Sequence, residues 1–198
     1  MVSRSQLSAL TAATLALMPG IGFADNARDW QNTPTDMNMV FGYYNRVDTN
    51  TPIDTTLPIT GLSLNADLYL FRYARSFSID GRNSAIQFIQ PYADVSASFD
   101  NAQFFSGTKH NGGTGDAQVV FAHNIFGGPA LTVEEFASWK PETFLTGALW
   151  VTMPTGDYHK DRIINIGSNR WVFKPELGFG TPIGPTWLEI NTYVSLFG

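Results

Sequence analysis

The feature that most constrains this chain is strict two-residue alternation, clearest over residues 145–180. In the first arm Leu145, Leu149, Val151 and Met153 share one parity with Gly147, while Thr146, Ala148, Trp150 and Thr152 share the other. In the second arm Phe173, Pro175, Leu177 and Phe179 alternate with Lys174, Glu176 and Gly178. Successive side chains of a strand point to opposite faces, so each arm separates an apolar medium from a polar one. The apolar medium is either a protein core or a lipid bilayer. That choice decides what the chain does.

The same pattern places five more strands, near 37–47, 62–71, 85–99, 116–125 and 187–196. In the first, Met39, Phe41 and Tyr43 oppose Asn38, Val40, Gly42, Tyr44 and Arg46. In the second, Leu62, Leu64, Ala66, Leu68 and Leu70 oppose Ser63, Asn65, Asp67, Tyr69 and Phe71. An unpaired Asp67 on a core side would be costly, so its face is expected to be wet and the leucine face to meet the oil. The third sets Ala85, Ile89, Pro91, Ala93, Val95, Ala97 and Phe99 against Gln90, Tyr92, Asp94, Ser96 and Ser98, with Pro91 demanding a bulge or distortion. In the fourth, Gln118, Val120, Ala122 and Asn124 alternate with Val119, Phe121, His123 and Ile125. The last sets Leu188, Ile190, Val194 and Leu196 against Trp187, Glu189, Asn191 and Tyr193.

About seven strands result, near the roughly 9–11 residues that cross a bilayer at a tilt. Long polar loops fill 48–61, 100–115 (with a flexible tip at 109–113) and 154–170. Short turns fill 78–81 and 181–185. Long connections on one end and short ones on the other are the habit of an antiparallel transmembrane β-barrel of the bacterial outer membrane, whose short turns face the periplasm. The exception is 126–142, where Thr132 and Glu135 have capping-box spacing and Val133, Phe136 and Ala137 share a helical face. Single-chain bacterial barrels have an even strand number from about 8 upward. The expectation is therefore a barrel that is C-terminally incomplete, or one strand miscounted.

Composition agrees with a wall rather than a water-coated globule: 15% of residues are charged, against about 25% in soluble domains. There is no Cys, which removes disulfides, thiolate metal sites and a lipidated Cys anchor. Residues 1–24 read as an export signal: Arg4, an apolar run over 7–18, the breakers Pro19 and Gly20, and small residues Gly22 and Ala24 before a cut ahead of Asp25. An uncleaved anchor is the other reading of this run, which is shorter than a spanning helix needs. Residues 25–36 form an irregular lead-in, and 37–198 the barrel domain. A net charge of −5 without a basic patch argues against nucleic acid as a partner.

Pro154-Thr155-Gly156-Asp157-Tyr158, then Asn165-Ile166-Gly167-Ser168-Asn169-Arg170-Trp171 and Lys174-Pro175-Glu176-Leu177-Gly178, resemble the signature of an outer-membrane protein family named for the meta pathway of phenol degradation. Gly115-Asp116 and Gly127-Gly128-Pro129-Ala130-Leu131 also sit where similar proteins carry such motifs. The resemblance covers most of the chain beyond 25. It implies a β-barrel that takes up aromatic or other apolar compounds, and similar proteins extend further at the C-terminus.

If Phe173, Leu177 and Phe179 face lipid, then Arg170, Lys174 and Glu176 face the lumen, either as a constriction that sets the field there or as bridges that hold the wall together. Other lumen candidates are Asn65, Asp67, Tyr69, Gln90, Tyr92, Asp94, Gln118, Asn124, Glu189, Asn191 and Tyr193. Trp171 belongs either to an aromatic girdle or to ordinary packing. His110, His123 and His159 lie in unrelated settings, and only His159 has acids beside it, Asp157 and Asp161. Neither a metal site, a cofactor site nor a catalytic constellation is indicated. The expected partners are outer-membrane lipid and a small solute. Three functions stand: a passive channel or uptake barrel, a structural or adhesive barrel, and a soluble periplasmic β-protein binding an apolar ligand.

Overall fold

The computed structural model of the chain describes residues 30–51, 62–99, 107–162 and 164–198. In chain order the strands are β1 (Asn38–Thr51), β2 (Leu62–Ile79), β3 (Arg82–Phe99), β4 (Gly107–Thr114), β5 (Gln118–Phe126), β6 (Phe144–Thr152), β7 (Val172–Ile183), β8 (Thr186–Tyr193) and β9 (Leu196–Phe197). A short helix, α1 (Val133–Ser138), lies between β5 and β6. Seven strands run side by side in the order β1-β2-β3-β5-β6-β7-β8, all antiparallel, with β4 added to β3 and β9 to β7. The sheet curls into a half-barrel. Among the described residues no helix is long and apolar enough to cross a membrane.

The seven strands of the main path are those that alternation predicts, except that the last ends at Tyr193 and Leu196 falls in β9, which pairs with Phe173 at the other end of β7; the long and short connections fall at opposite ends, apart from the helix-bearing β5–β6 connection at the short end. At the short end Asp80 and Gly81 have φ of 50° and 73°, the left-handed pair that a two-residue hairpin with right-handed strand twist requires. Gly184, with φ 57°, precedes Pro185 in the matching turn between β7 and β8, where only the first central residue needs positive φ. The helix begins on a complete capping box: the Thr132 side chain accepts from the Glu135 N–H, and Glu135 accepts from the Thr132 N–H at 2.8 Å.

Those two Thr132 contacts, the backbone one foremost, hold the Glu135 carboxyl below its usual value of 4.5. A lowered folded-state value stabilises the helix above the unfolded value and loses that contribution as pH falls through the lowered one. Amide exchange over 133–138, corrected for intrinsic rates, should therefore lose protection on acidification through the carboxylate range. Glu135→Ala should be less protected at neutral pH and insensitive to that change.

One local expectation is corrected, and at Pro91 the distortion takes the form of a change of partner. The tip at 109–113 is no free loop: β4 pairs with the upper end of β3 from Tyr92↔Thr114 to Phe99↔Gly107, with Ser96–His110 and Ser98–Thr108 side-chain bonds across the pair. Its residues are polar or glycine on both faces, so alternation of hydrophobicity does not register it. Pro91 causes no bulge toward β2, where Leu70↔Pro91 stays in register. Its missing donor falls where β3 changes partner from β5 to β4, and the Gly115 N–H donates to the Pro91 carbonyl at 2.9 Å.

The core is on one face of the sheet, in two clusters. Trp30, Ile89, Val120, Ala122, Phe144, Ala148 and Trp150 form the first, toward the short-turn end. Val47, Leu64, Ala66, Ala93, Val95 and Ala97 form the second, toward the long-loop end, with Ile164 and Ile166 of the β6–β7 loop packed on it.

Candidate functional site

On β7 burial runs opposite to polarity. Lys174 and Glu176 are buried on the inner face, 7% and 3% exposed, while Phe173, Leu177 and Phe179 project outward at 41%, 46% and 37%. Neighbouring strands continue the outer face through Phe121, Ile125, Leu149, Leu188 and Ile190, all exposed. Water around such a face would be costly, at roughly 25 cal/mol for each Å² of apolar surface left wet. A groove of about 660 Å³ opens on this face over Gly147, between Phe121, Ile125, Leu149 and Leu177, with Glu176 and Tyr193 also reaching it.

Inside, Lys174 and Glu176 form a buried ion pair at 3.1 Å. Desolvating two such ions costs several kcal/mol each unless other contacts make it good. Here the Trp30 indole N–H donates to Glu176 at 2.8 Å. The Lys174 ammonium lies 4.1 Å from the Trp150 ring and 4.7 Å from the Tyr193 ring, contacts worth about 0.5–2 kcal/mol each when desolvated. Trp30 meets Trp150 edge to face at 6.2 Å. Small residues make the room: a Cβ on Gly178 would lie 2.4 Å from the Trp30 ring, and one on Gly180 would strike Phe144.

Trp30 comes from the lead-in, which crosses the short-turn end of the inner face. Asn83 donates to Asn32 and to the Thr33 carbonyl, Asn32 donates to the Pro129 carbonyl, and Ser76 donates to the Pro34 carbonyl. Asn124 and Thr146 extend this buried polar chain across β5 and β6. Glu189 and Asn191 stand on the inner face of β8, joined at 3.4 Å, opposite Gly180 and Gly178. Gln118 is also buried on this side. Arg170 is elsewhere, with its guanidinium 4.5 Å over the Phe197 ring.

Asp67, Tyr69 and Asp94 are not inner-face residues, and neither are Asn65, Gln90 and Tyr92. Register puts Ile89 opposite the buried Gln118 and Leu70 opposite Pro91, so the even positions of upper β3 and the odd positions of β2 face outward. The reason is a reversal of polarity along the strands. Tyr44, Tyr69 and Tyr92 form an outward row across β1, β2 and β3, with ring centroids 5.1 and 6.1 Å apart. On one side of the row the outer face carries Phe71, Ile86 and Phe88; on the other it carries Asp67, Asp94, Arg46 and Asp48. Above the row the inner face is the apolar one, and Leu64 is sealed there at 1% exposure, not turned to oil outside. Residues 69–79 and 82–92 match the roughly 9–11 residues and 25 Å of a tilted crossing, so the upper thirds of these strands stand beyond it.

The signature block splits into two physical parts. Pro154 to Trp171 fold the long β6–β7 loop onto the sheet. The Asp116 carboxylate accepts from the Gly156 N–H at 2.8 Å and the Ser168 N–H at 2.7 Å, and also from the Ser168 hydroxyl. Gly156 and Gly167 touch backbone to backbone, where a Cβ on Gly156 would lie 2.8 Å from the Gly167 Cα. Asp157 accepts from the Thr114 N–H at 2.7 Å, and Asn165 from the His159 N–H at 2.8 Å. Asn169 takes φ 53°, and Tyr158 stays exposed. Trp171 stacks on Phe173 at 6.2 Å and is 45% exposed. The second part, Lys174, Pro175 and Glu176, belongs to the wall itself.

Sequence reasoning missed Trp30, whose only signal was a lone indole in a polar lead-in, and the central role of Asp116, present there only as half of a Gly-Asp motif. Among the described residues no three metal-binding side chains gather.

An antiparallel wall with an ion pair buried inside, oil-loving side chains outside and a tyrosine belt at one boundary defines a transmembrane β-barrel. The chain belongs to the family described as "Putative MetA-pathway of phenol degradation", whose pattern matches residues 44–195. Its fold is similar to the crystal structure of an outer membrane channel from Pseudomonas putida, with a TM-score of 0.69 and 18% identity over 88% of this chain and 61% of that one. The chain thus spans about three fifths of the solved channel. No curated protein matches it.

Proposed function

We propose that the protein is an outer-membrane channel or uptake barrel through which small compounds, aromatic or apolar ones among them, pass without energy input. The observation that carries this reading is the reversed burial on β7, with Lys174 and Glu176 inside and Phe173, Leu177 and Phe179 outside. An inner wall that combines Trp150, Trp187 and Tyr193 with that ion pair suits flat apolar solutes bearing a polar substituent. The likeness to a solved outer membrane channel supports the same reading. Export belongs to the proposal too, through the leader expected over 1–24, which lies outside the described residues.

The polar sheet standing beyond the tyrosine row favours a second reading, a barrel that displays an external surface for adhesion. Liposome swelling separates the two. Liposomes carrying the full-length protein should swell in small aromatic alcohols faster than protein-free ones, and swelling at the protein-free rate would remove transport and leave adhesion. Recovery of the protein in the aqueous fraction without detergent would remove both.

A further inference from the structure

We propose that Arg75 binds the phosphate of a phospholipid in the periplasmic leaflet. The proposal rests on the membrane face of the barrel and is independent of what passes through the lumen. Arg75 occupies an odd position of β2, opposite Ile86 on β3, so it points outward with Tyr73 and Phe77. It is exposed. Among the described residues the formally charged side chains on the outer face between the tyrosine row and the short turns are Arg75 and, at the very start of β3, Arg82, which donates to the Gly127 carbonyl at 3.3 Å.

No described residue forms a hydrogen bond or ion pair with the Arg75 guanidinium, although every other charge in the wall has a protein contact within reach: Arg72 donates to Gln87 at 2.7 Å, Lys174 pairs with Glu176, and Arg170 covers Phe197. A bare cation facing acyl chains is unfavourable, and basic side chains in this setting reach along their methylenes to the nearest interface. The nearest interface lies toward the short turns, where Ile79 and Asp80 end the strand only four and five residues away. That is the periplasmic side if long loops face outward. The anions there are lipid phosphodiesters, which match the planar fork of an arginine.

A second donor stands beside it. Asn38 is the register partner of Arg75 on β1, and the Tyr73 hydroxyl donates to Asn38 Oδ1 at 2.7 Å. That bond fixes the carboxamide and leaves its N–H groups for an acceptor. Guanidinium and amide together present donors to one phosphate, with Tyr73, Phe77, Ile86 and Phe88 as the apolar bed for its chains.

Native mass spectrometry of the full-length protein in detergent tests the site, with palmitoyl-oleoyl phosphatidylglycerol as probe and the matching diacylglycerol as its phosphate-free control. The wild type should retain the phospholipid and shed the diacylglycerol. Arg75→Leu should retain about fivefold less phospholipid, the effect of one basic residue at a lipid surface. Arg75→Lys should recover part of the loss, because it restores charge without the fork. Leucine suits a lipid-facing position, so the variant should keep the heat-modifiable gel migration of a folded barrel. Equal retention by wild type and Arg75→Leu, or equal retention of phospholipid and diacylglycerol by the wild type, overturns the proposal.

Discussion

Trp30→Ala should raise the single-channel conductance of the reconstituted full-length protein and leave its barrel folded. The indole fills the space over Gly178, contacts Trp150 and donates to Glu176. Replacing a buried tryptophan by alanine costs about 3–5 kcal/mol in packing. Ordering each residue of a short segment costs about 1–2 kcal/mol of backbone entropy. Loss of this anchor is therefore enough to free the tip of the lead-in, while the Asn83 and Ser76 bonds still hold 32–34. The gain should be local: more current, the same gel migration, the same strand content. Glu176→Gln should have a smaller effect, because its carbonyl still accepts from the indole and only the pairing with Lys174 is lost. Conductance unchanged in Trp30→Ala would mean that the lead-in does not obstruct the path.

The parts of this molecule that follow one local rule could be read from the chain. Alternation found the seven main strands because each crosses a boundary between oil and water, and Phe173 through Phe179 show that boundary directly. Thr132 and Glu135 announced the helix because a capping box is a contact between neighbours in sequence. What failed was the assumption that one parity meets oil along a whole strand. On β2 the outer side holds Asp67 and then, past Tyr69, Phe71; the inner side holds Leu64 and then Arg72. Two apolar media, the bilayer below and the folded loop above, take opposite faces of the same strand. Nothing in the alternation itself says where one replaces the other, although the tyrosines at 44, 69 and 92 do once register brings them into line. Asp116 and the strand β4 escaped for a related reason: their partners, Gly156, Ser168 and the polar edge of β3, are distant in sequence and carry no hydrophobic signal.

Asp116→Ala should loosen the β6–β7 loop more than any other single change outside the wall. Asp116 is 8% exposed, and its carboxylate collects two backbone N–H groups and one hydroxyl. Alanine leaves the half-buried Gly156 and Ser168 N–H groups without their acceptor, at the low end of about 1–3 kcal/mol each. The loop's other ties run to Thr114 from Asp157, to Asn111 from Arg162 and the Ile164 carbonyl, and to the Ala117 N–H from Thr155, and apart from Asp157 each is a single bond. Its release takes Ile164 and Ile166 off the cluster of Val47, Leu64 and Val95. Lys160 and Arg162 lie on the exposed tip, so trypsin reads the change: cleavage there should be at least about tenfold faster in the variant, as a loss above ~1.4 kcal/mol requires. Asp116→Asn should fall between, since its one carbonyl oxygen can serve Gly156 or Ser168 but not both as well. The membrane-crossing strands make none of these bonds, so heat-modifiable migration should not change. Cleavage at the wild-type rate would show that the glycine contact between Gly156 and Gly167 holds the loop by itself, and Gly156→Val would then be the change that opens it.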